Sequence, residues 1–216
     1  MKIIRALRTV NYRLWFAIFT TMLLPTVYQT VRIFFLGDMP SDSGINIASQ
    51  LQWVNLFYEV VQEALILPLF FLLGKSIDNR DEFANKVRTG LIVTAIIYAM
   101  VSVIVMLCAR PLVVLMAQDT ALSDATVTYV RLETVAALFS TLWRFMMTVL
   151  VTLKKDKYIY IVLIIQMVLS VLLDTFLISN LAVSAKLGVN GIAVTNIIVN
   201  AVILGCSILL LYRENI

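Results

Sequence analysis

The run Leu91-Ile-Val-Thr-Ala-Ile-Ile-Tyr-Ala-Met-Val-Ser-Val-Ile-Val-Met-Leu-Cys108 holds eighteen residues and no charge. Wound as an α-helix it is about 27 Å long, at about 1.5 Å per residue, which matches the roughly 30 Å hydrocarbon core of a bilayer. It lacks the strict polar and apolar alternation of an outer-membrane barrel strand. Working outward, runs of comparable length occur at 14–36 and 45–74 on its N-terminal side, and at 125–153, 158–180 and 189–212 on its C-terminal side. Of the 216 residues, 61% are hydrophobic and 14% charged, against about 45–50% and about 25% in soluble chains. A soluble domain of this length has too little interior to hide such an excess. The expected fold class is therefore all-α: a polytopic membrane protein, one domain over 1–216, folded as a six-helix transmembrane bundle.

The connections are short and carry the charge. Lys2, Arg5, Arg8 and Arg13 precede the first span; Lys75, Arg80, Lys86 and Arg88 follow the second; Lys154, Lys155 and Lys157 follow the fourth; Arg213 follows the sixth. The alternate side holds Arg110 and Lys186 beside Asp38, Asp42, Asp119 and Asp124. Basic residues in short loops stay cytoplasmic, so both termini are expected in the cytoplasm of a cell with this protein in its inner (plasma) membrane. The net charge of +4 is then a topology signal, and no nucleic-acid partner is expected. Cys108 and Cys206 fall at different depths and are expected as free thiols. No signal peptide is expected, because the apolar stretch after Arg13 is too long.

Ionisable residues inside a bilayer are costly and by default mark interior, functional positions. In the second span Gln52, Asn55, Glu59, Gln62 and Glu63 occupy an arc of about 100° on one helix face. Glu59 and Glu63 stand one turn apart near mid-membrane, either as a proton-exchanging pair or as polar glue to a neighbouring helix. In the fourth span Glu133 and Arg144 share a face but lie about 16 Å apart along the axis, so each needs another partner; Arg144 could also snorkel. Gln29 and Arg32 in the first span and Asp174 in the fifth fall at matching outer depth, which suits an Arg32–Asp174 ion pair. Thr195, Asn196 and Asn200 in the sixth span are hydrogen-bonding groups suited to packing. Trp15, Phe16, Trp53, Phe57, Tyr58, Phe139, Trp143 and Phe145 could face flat cationic cargo or serve as interface belts and packing.

Histidine is absent, and there is no GxSxG, HExxH, Walker A or GxGxxG pattern, so neither an enzyme nor a bound cofactor or metal is expected.

Four stretches carry a resemblance. Leu73-Gly-Lys-Ser-Ile-Asp-Asn-Arg-Asp-Glu-Phe-Ala-Asn-Lys-Val-Arg-Thr-Gly90 resembles the link after the second helix of multidrug and toxic compound extrusion (MATE) transporters. Ala109-Arg-Pro-Leu-Val-Val-Leu-Met116 followed by Ala125 to Leu132 with Tyr129, Leu172-Leu-Asp-Thr-Phe-Leu-Ile178 and Leu187-Gly-Val-Asn-Gly-Ile-Ala-Val-Thr195 are similar to that family's third-to-fourth link, fifth helix and sixth-helix start. The resemblance implies a secondary transporter that exchanges organic cations for H+ or Na+ through a cavity between two six-helix lobes. Only one lobe's worth of helices is present, so a homodimer or pairing with a second six-helix lobe is implied, with a truncated gene or fragment as the alternative. The family's coupling cluster in this lobe falls on Arg32, where an acid is usual, and on Ser170, Asp174 and Thr195. Arg32 would give Asp174 a permanent counterion, which leaves Glu59 and Glu63 as the better proton carriers. A flippase for a lipid-linked sugar, using Arg32, Arg131 and Arg144 for phosphate, and a non-transporting membrane subunit are the other expectations.

Overall fold

The computed structural model describes residues 43–179 and 181–213, together with eleven positions between Tyr12 and Arg32, all of them helical. The remainder of the expected first span, 14–36, and the basic N-terminal residues Lys2 to Arg13 lie outside the described residues. Six helices follow: α1 (Ser43–Gly74), α2 (Arg80–Leu107), α3 (Ala109–Leu115), α4 (Ser123–Thr152), α5 (Asp156–Leu177) and α6 (Val189–Arg213). Among the described residues, all of these except α3 are long and apolar enough to cross a membrane.

Two expectations need correction. The helix of the third span begins at Arg80 and not at Leu91. The polar run before Leu91 looks like a loop by apolar counting, yet Asn79 caps it, its side chain accepting from the Glu82 N–H at 3.2 Å. Asp81 and Glu82 occupy the first turn, where acids suit the helix dipole. Phe83, Val87 and Gly90 then bury one face of this extension. The link at Arg110-Pro111 is likewise no simple loop. It opens with α3, whose Ala109 and Val113 are buried. Pro111 sits in its first turn, where a missing N–H removes no helical bond.

α4 is the centre of the bundle. It packs most extensively against α6, and also against α2 and α1, while α5 lies mainly on α6. Half of α4's apolar window is buried (50%), against 17% for α1. Two cores form at opposite ends. One gathers Leu73, Phe83, Val87, Leu150 and Ile159, so the two basic links of the chain share an end of the bundle. The other gathers Ile47, Val105, Val113, Val127, Ile178 and Ile192. Within this second core, fully buried Tyr98 of α2 donates to the Tyr58 carbonyl at 2.6 Å. The outward face of α2 shows Ile92, Ile96, Val103 and Leu107, apolar side chains suited to lipid contact.

The turn from α4 to α5 closes by a pair of bonds, Lys154 N–H to Val151 O and Lys155 N–H to Leu150 O, each 3.0 Å. This Schellman closure places Lys154 in the left-handed region, at φ 55°, a position that favours glycine. Left-handed strain costs about 1–2 kcal/mol, and glycine's extra freedom when unfolded takes back about 0.4–1 kcal/mol. Lys154→Gly is therefore expected to raise the detergent-solubilised Tm by about 1–4 °C. A fall in Tm on a melting curve would contradict this account of the turn.

Candidate functional site

Gly188, at φ +60°, turns the chain into α6. A Cβ on Gly191 would lie 3.1 Å from both the Leu177 carbonyl and Ile178 Cγ1, so glycine lets the start of α6 press against the end of α5. That approach sets Thr195 and Asn196 beside Asp174.

A charge cluster results. Arg32 donates through Nε to Asp174 Oδ2 at 2.9 Å and through Nη2 to Asp174 Oδ1 at 3.3 Å. The pair expected from depth alone is present, and it is buried, with side-chain exposures of 11% for Arg32 and 0% for Asp174. The guanidinium has other duties. Nη1 reaches Asn196 Oδ1 at 2.8 Å and Nη2 reaches the Tyr28 hydroxyl at 2.9 Å. That hydroxyl donates to Asp174, and the guanidinium carbon lies 4.8 Å from the Tyr28 ring centre. Asn196 continues the chain of bonds by donating to Glu133 Oε1 at 2.7 Å. Glu133 in turn faces Tyr129 and the Arg32 charge. Thr195 is fully buried and faces the Asp174 carboxylate. Ser170 is buried, with its carbonyl 3.4 Å from the Tyr28 hydroxyl. One cation thus holds two carboxylates from different helices, with Asn196 as the bridge.

Beside this cluster lies a cavity of about 800 Å³. It runs between the N-terminal segment, α1, α4, α5 and α6, and Arg32 and Glu133 form part of its wall. Asp174 does not line it; Arg32 stands between. From α1, Asn55, Glu59, Gln62 and Glu63 face the cavity, whereas Gln52, the first member of the same stripe, does not. Neither Glu59 nor Glu63 makes a hydrogen bond or ion pair among the described residues. Arg144 also lines the cavity, where Nη1 donates to Gln62 Oε1 at 3.2 Å. Thr141 and Thr148 line it too, but their hydroxyls bond back to Ala137 O and Arg144 O of their own helix, both at 3.0 Å.

Tyr28 and the bridging part played by Asn196 were not singled out by sequence. An uncharged residue gives no cost signal in an apolar run, and only three-dimensional proximity to Arg32 and Glu133 exposes these roles. Cys108 and Cys206 are both free.

The sequence model of the MatE family matches residues 17–176, roughly three quarters of the chain. The chain belongs to the MatE family. The matched segment carries Arg32, Glu59, Glu63, Glu133, Arg144 and Asp174, and it ends before Thr195 and Asn196. No curated protein and no solved structure matches the chain significantly. MatE proteins are membrane transporters and not enzymes, so this is a multi-pass membrane protein of a transporter family. Among the described residues no group of His, Cys, Asp and Glu is arranged to hold a metal ion.

Proposed function

We propose that this chain is one lobe of a cation-coupled secondary transporter, moving amphipathic organic cations against H+ or Na+. The observation that carries this is the pair Glu59 and Glu63, open to an 800 Å³ cavity and unpaired among the described residues. Carboxylates held inside a membrane cavity without a counterion attract a cation, whether cargo or coupling ion. Asp174 and Glu133 are already served by Arg32, so the exchangeable positions fall on α1. Aromatic faces in the same wall, Tyr58 and Trp143, suit a flat cation.

In this proposal residues 1–216 form one domain of six spans, the first being 14–36, and the helical positions between Tyr12 and Arg32 support that count. Both termini face the cytoplasm of the inner (plasma) membrane, since the two basic links share one end of the bundle. A second lobe, a copy of the chain or another six-helix lobe, completes the pathway. The low burial of α1 favours such a partner, because the cavity that Asn55, Glu59 and Glu63 line leaves them exposed. The flippase alternative fares worse. Arg32 is already engaged by Asp174, Asn196 and Tyr28, and Arg131 is exposed and donates to the Met106 carbonyl at 3.3 Å. Arg144 alone is then left for a pyrophosphate.

The test is efflux of a fluorescent lipophilic cation from proteoliposomes under an imposed proton or sodium gradient. Wild-type efflux should follow one of the gradients, and Glu59→Gln combined with Glu63→Gln should lower it severalfold. Efflux that ignores both gradients, or that survives the double substitution, would remove these carboxylates from the mechanism.

A further inference from the structure

Hydroxyls in this bundle commonly bond within their own helix. Thr134, Thr141 and Thr148 of α4 each donate to the carbonyl four residues earlier, at 2.7, 3.0 and 3.0 Å, a common arrangement for such residues in a helix. Ser102 of α2 departs from it. Thr94, Tyr98 and Ser102 recur at every fourth position along the buried face of α2. Tyr98 donates across to the Tyr58 carbonyl, whereas Ser102 Oγ, on a residue 5% exposed, has no hydrogen-bond partner among the described residues. The Tyr58 hydroxyl of α1, on a residue 6% exposed, has none there either. It faces the hydroxyls of Ser102 and of Thr134 on α4 without closing a bond to either.

Three hydroxyls from three helices thus converge without bonding to one another, and buried polar groups in folded proteins are almost always satisfied. Their protons decide what fits among them. Thr134 has spent its own on the Val130 carbonyl, so it offers only lone pairs, while Ser102 and Tyr58 each still hold a proton to donate. A metal cation cannot accept those protons, and a carboxylate has none to give Thr134. Water does both. It accepts from Tyr58 and Ser102 and donates to Thr134, which makes about three bonds, the usual number for a buried water. We infer that α1, α2 and α4 enclose a water-binding site formed by Tyr58, Ser102 and Thr134. Tyr58 lines the cavity, and Ser102 and Thr134 do not, so the site lies behind the cavity wall and water reaches it past Tyr58. Bound there, the water fastens the polar face of α2 to both neighbours, in a bilayer where no hydrophobic drive holds helix to helix.

Radiolytic footprinting of the full chain in nanodiscs reads bound water directly, because X-rays make hydroxyl radicals from water where it sits and these oxidise the side chain beside it. Wild-type Tyr58 should be oxidised despite its burial, while Phe145, fully buried in an apolar core, should not. Ser102→Val places methyl groups at the site and should cut Tyr58 oxidation severalfold, leaving that of Met167 on the cavity wall unchanged. Tyr58 oxidation that persists in Ser102→Val comes from cavity water and overturns the site, as does a wild-type Tyr58 that is not oxidised. A melting cycle decides the matter should Ser102→Val fail to fold. Tyr58→Phe and Ser102→Ala should each lower the Tm in detergent, and the double variant should lose less than the two single losses together, because both hydroxyls bond one water. Strictly additive losses give the two hydroxyls separate partners and overturn the shared site.

Discussion

Arg32→Leu should cost about 3–5 kcal/mol of stability, the usual penalty for removing one partner of a buried ion pair. The reason is what stays behind. Asp174 keeps a side chain with 0% exposure and loses both guanidinium bonds, while Glu133 loses the Arg32 charge facing it. Tyr28 and Thr195 remain near Asp174, but neutral hydroxyls offset only a fraction of an uncompensated buried charge. Asp174→Leu should be damaging too, though less so, because the guanidinium loses its direct ion pair but keeps Asn196, Tyr28 and the facing Glu133 carboxylate. The double substitution Arg32→Leu/Asp174→Leu should recover part of the loss, since it no longer leaves Asp174 buried without its cation. Recovery should stop short of complete, because Glu133 still loses the Arg32 charge and Asn196 and Tyr28 each lose a partner. Chemical unfolding in mild detergent, followed by circular dichroism, reads all three variants as a double-mutant cycle. Additive losses would show that the two residues do not act as a pair.

The ion pair was legible in the sequence for a simple reason. Charges are so rare inside apolar runs that two of opposite sign at equal depth, Arg32 and Asp174, nominate each other. Position along the spans supplied the depth, and no packing detail was needed. The α1 stripe was legible in the same way, since helical period alone collects Asn55, Glu59, Gln62 and Glu63 on one face. It could not say where the face ends, and Gln52 falls outside the cavity. The start of α2 was hidden because apolar counting treats polar residues as loop. A capped amphipathic extension outside the hydrocarbon core contains them as readily, and its signature is local: Asn79 as the cap and Phe83, Val87 and Gly90 on one side. Arg144 was ambiguous between snorkelling and pairing, because its long stem permits both. Its partner proved to be Gln62, an uncharged residue, and uncharged partners at long range leave no mark in a single sequence.

Gly90 shows how a motif residue of the α1–α2 link works as a packing device. The glycine lies on α2 where it crosses α4, and a Cβ built there would meet Phe145 Cζ at 2.7 Å and Cε2 at 3.1 Å, with Leu69 Cδ2 at 3.5 Å. Phe145 has 0% exposure, so its ring has no open space to swing into. Membrane helices associate through such small-residue approaches, in the absence of a hydrophobic drive between helix and lipid. Two terms oppose each other in Gly90→Ala. Overpacking a tight core costs about 1–3 kcal/mol, and alanine's higher helix propensity returns about 0.8–1 kcal/mol. The net loss should be modest, on the order of 1 kcal/mol. Gly90→Leu keeps most of the propensity gain and adds volume that cannot fit, so α2 must lift off α4 and loosen the core around Phe83 and Phe145. Its loss should be at least about 3 kcal/mol, a hundredfold or more in the folded fraction. Trimming the opposing ring discriminates a steric cause from a backbone one. Phe145→Leu alone should destabilise by opening a void, yet in the Gly90→Ala background it should cost less than in wild type, because the added methyl occupies part of that space. Equal costs of Phe145→Leu in both backgrounds would mean that Gly90 is required for something other than contact with Phe145.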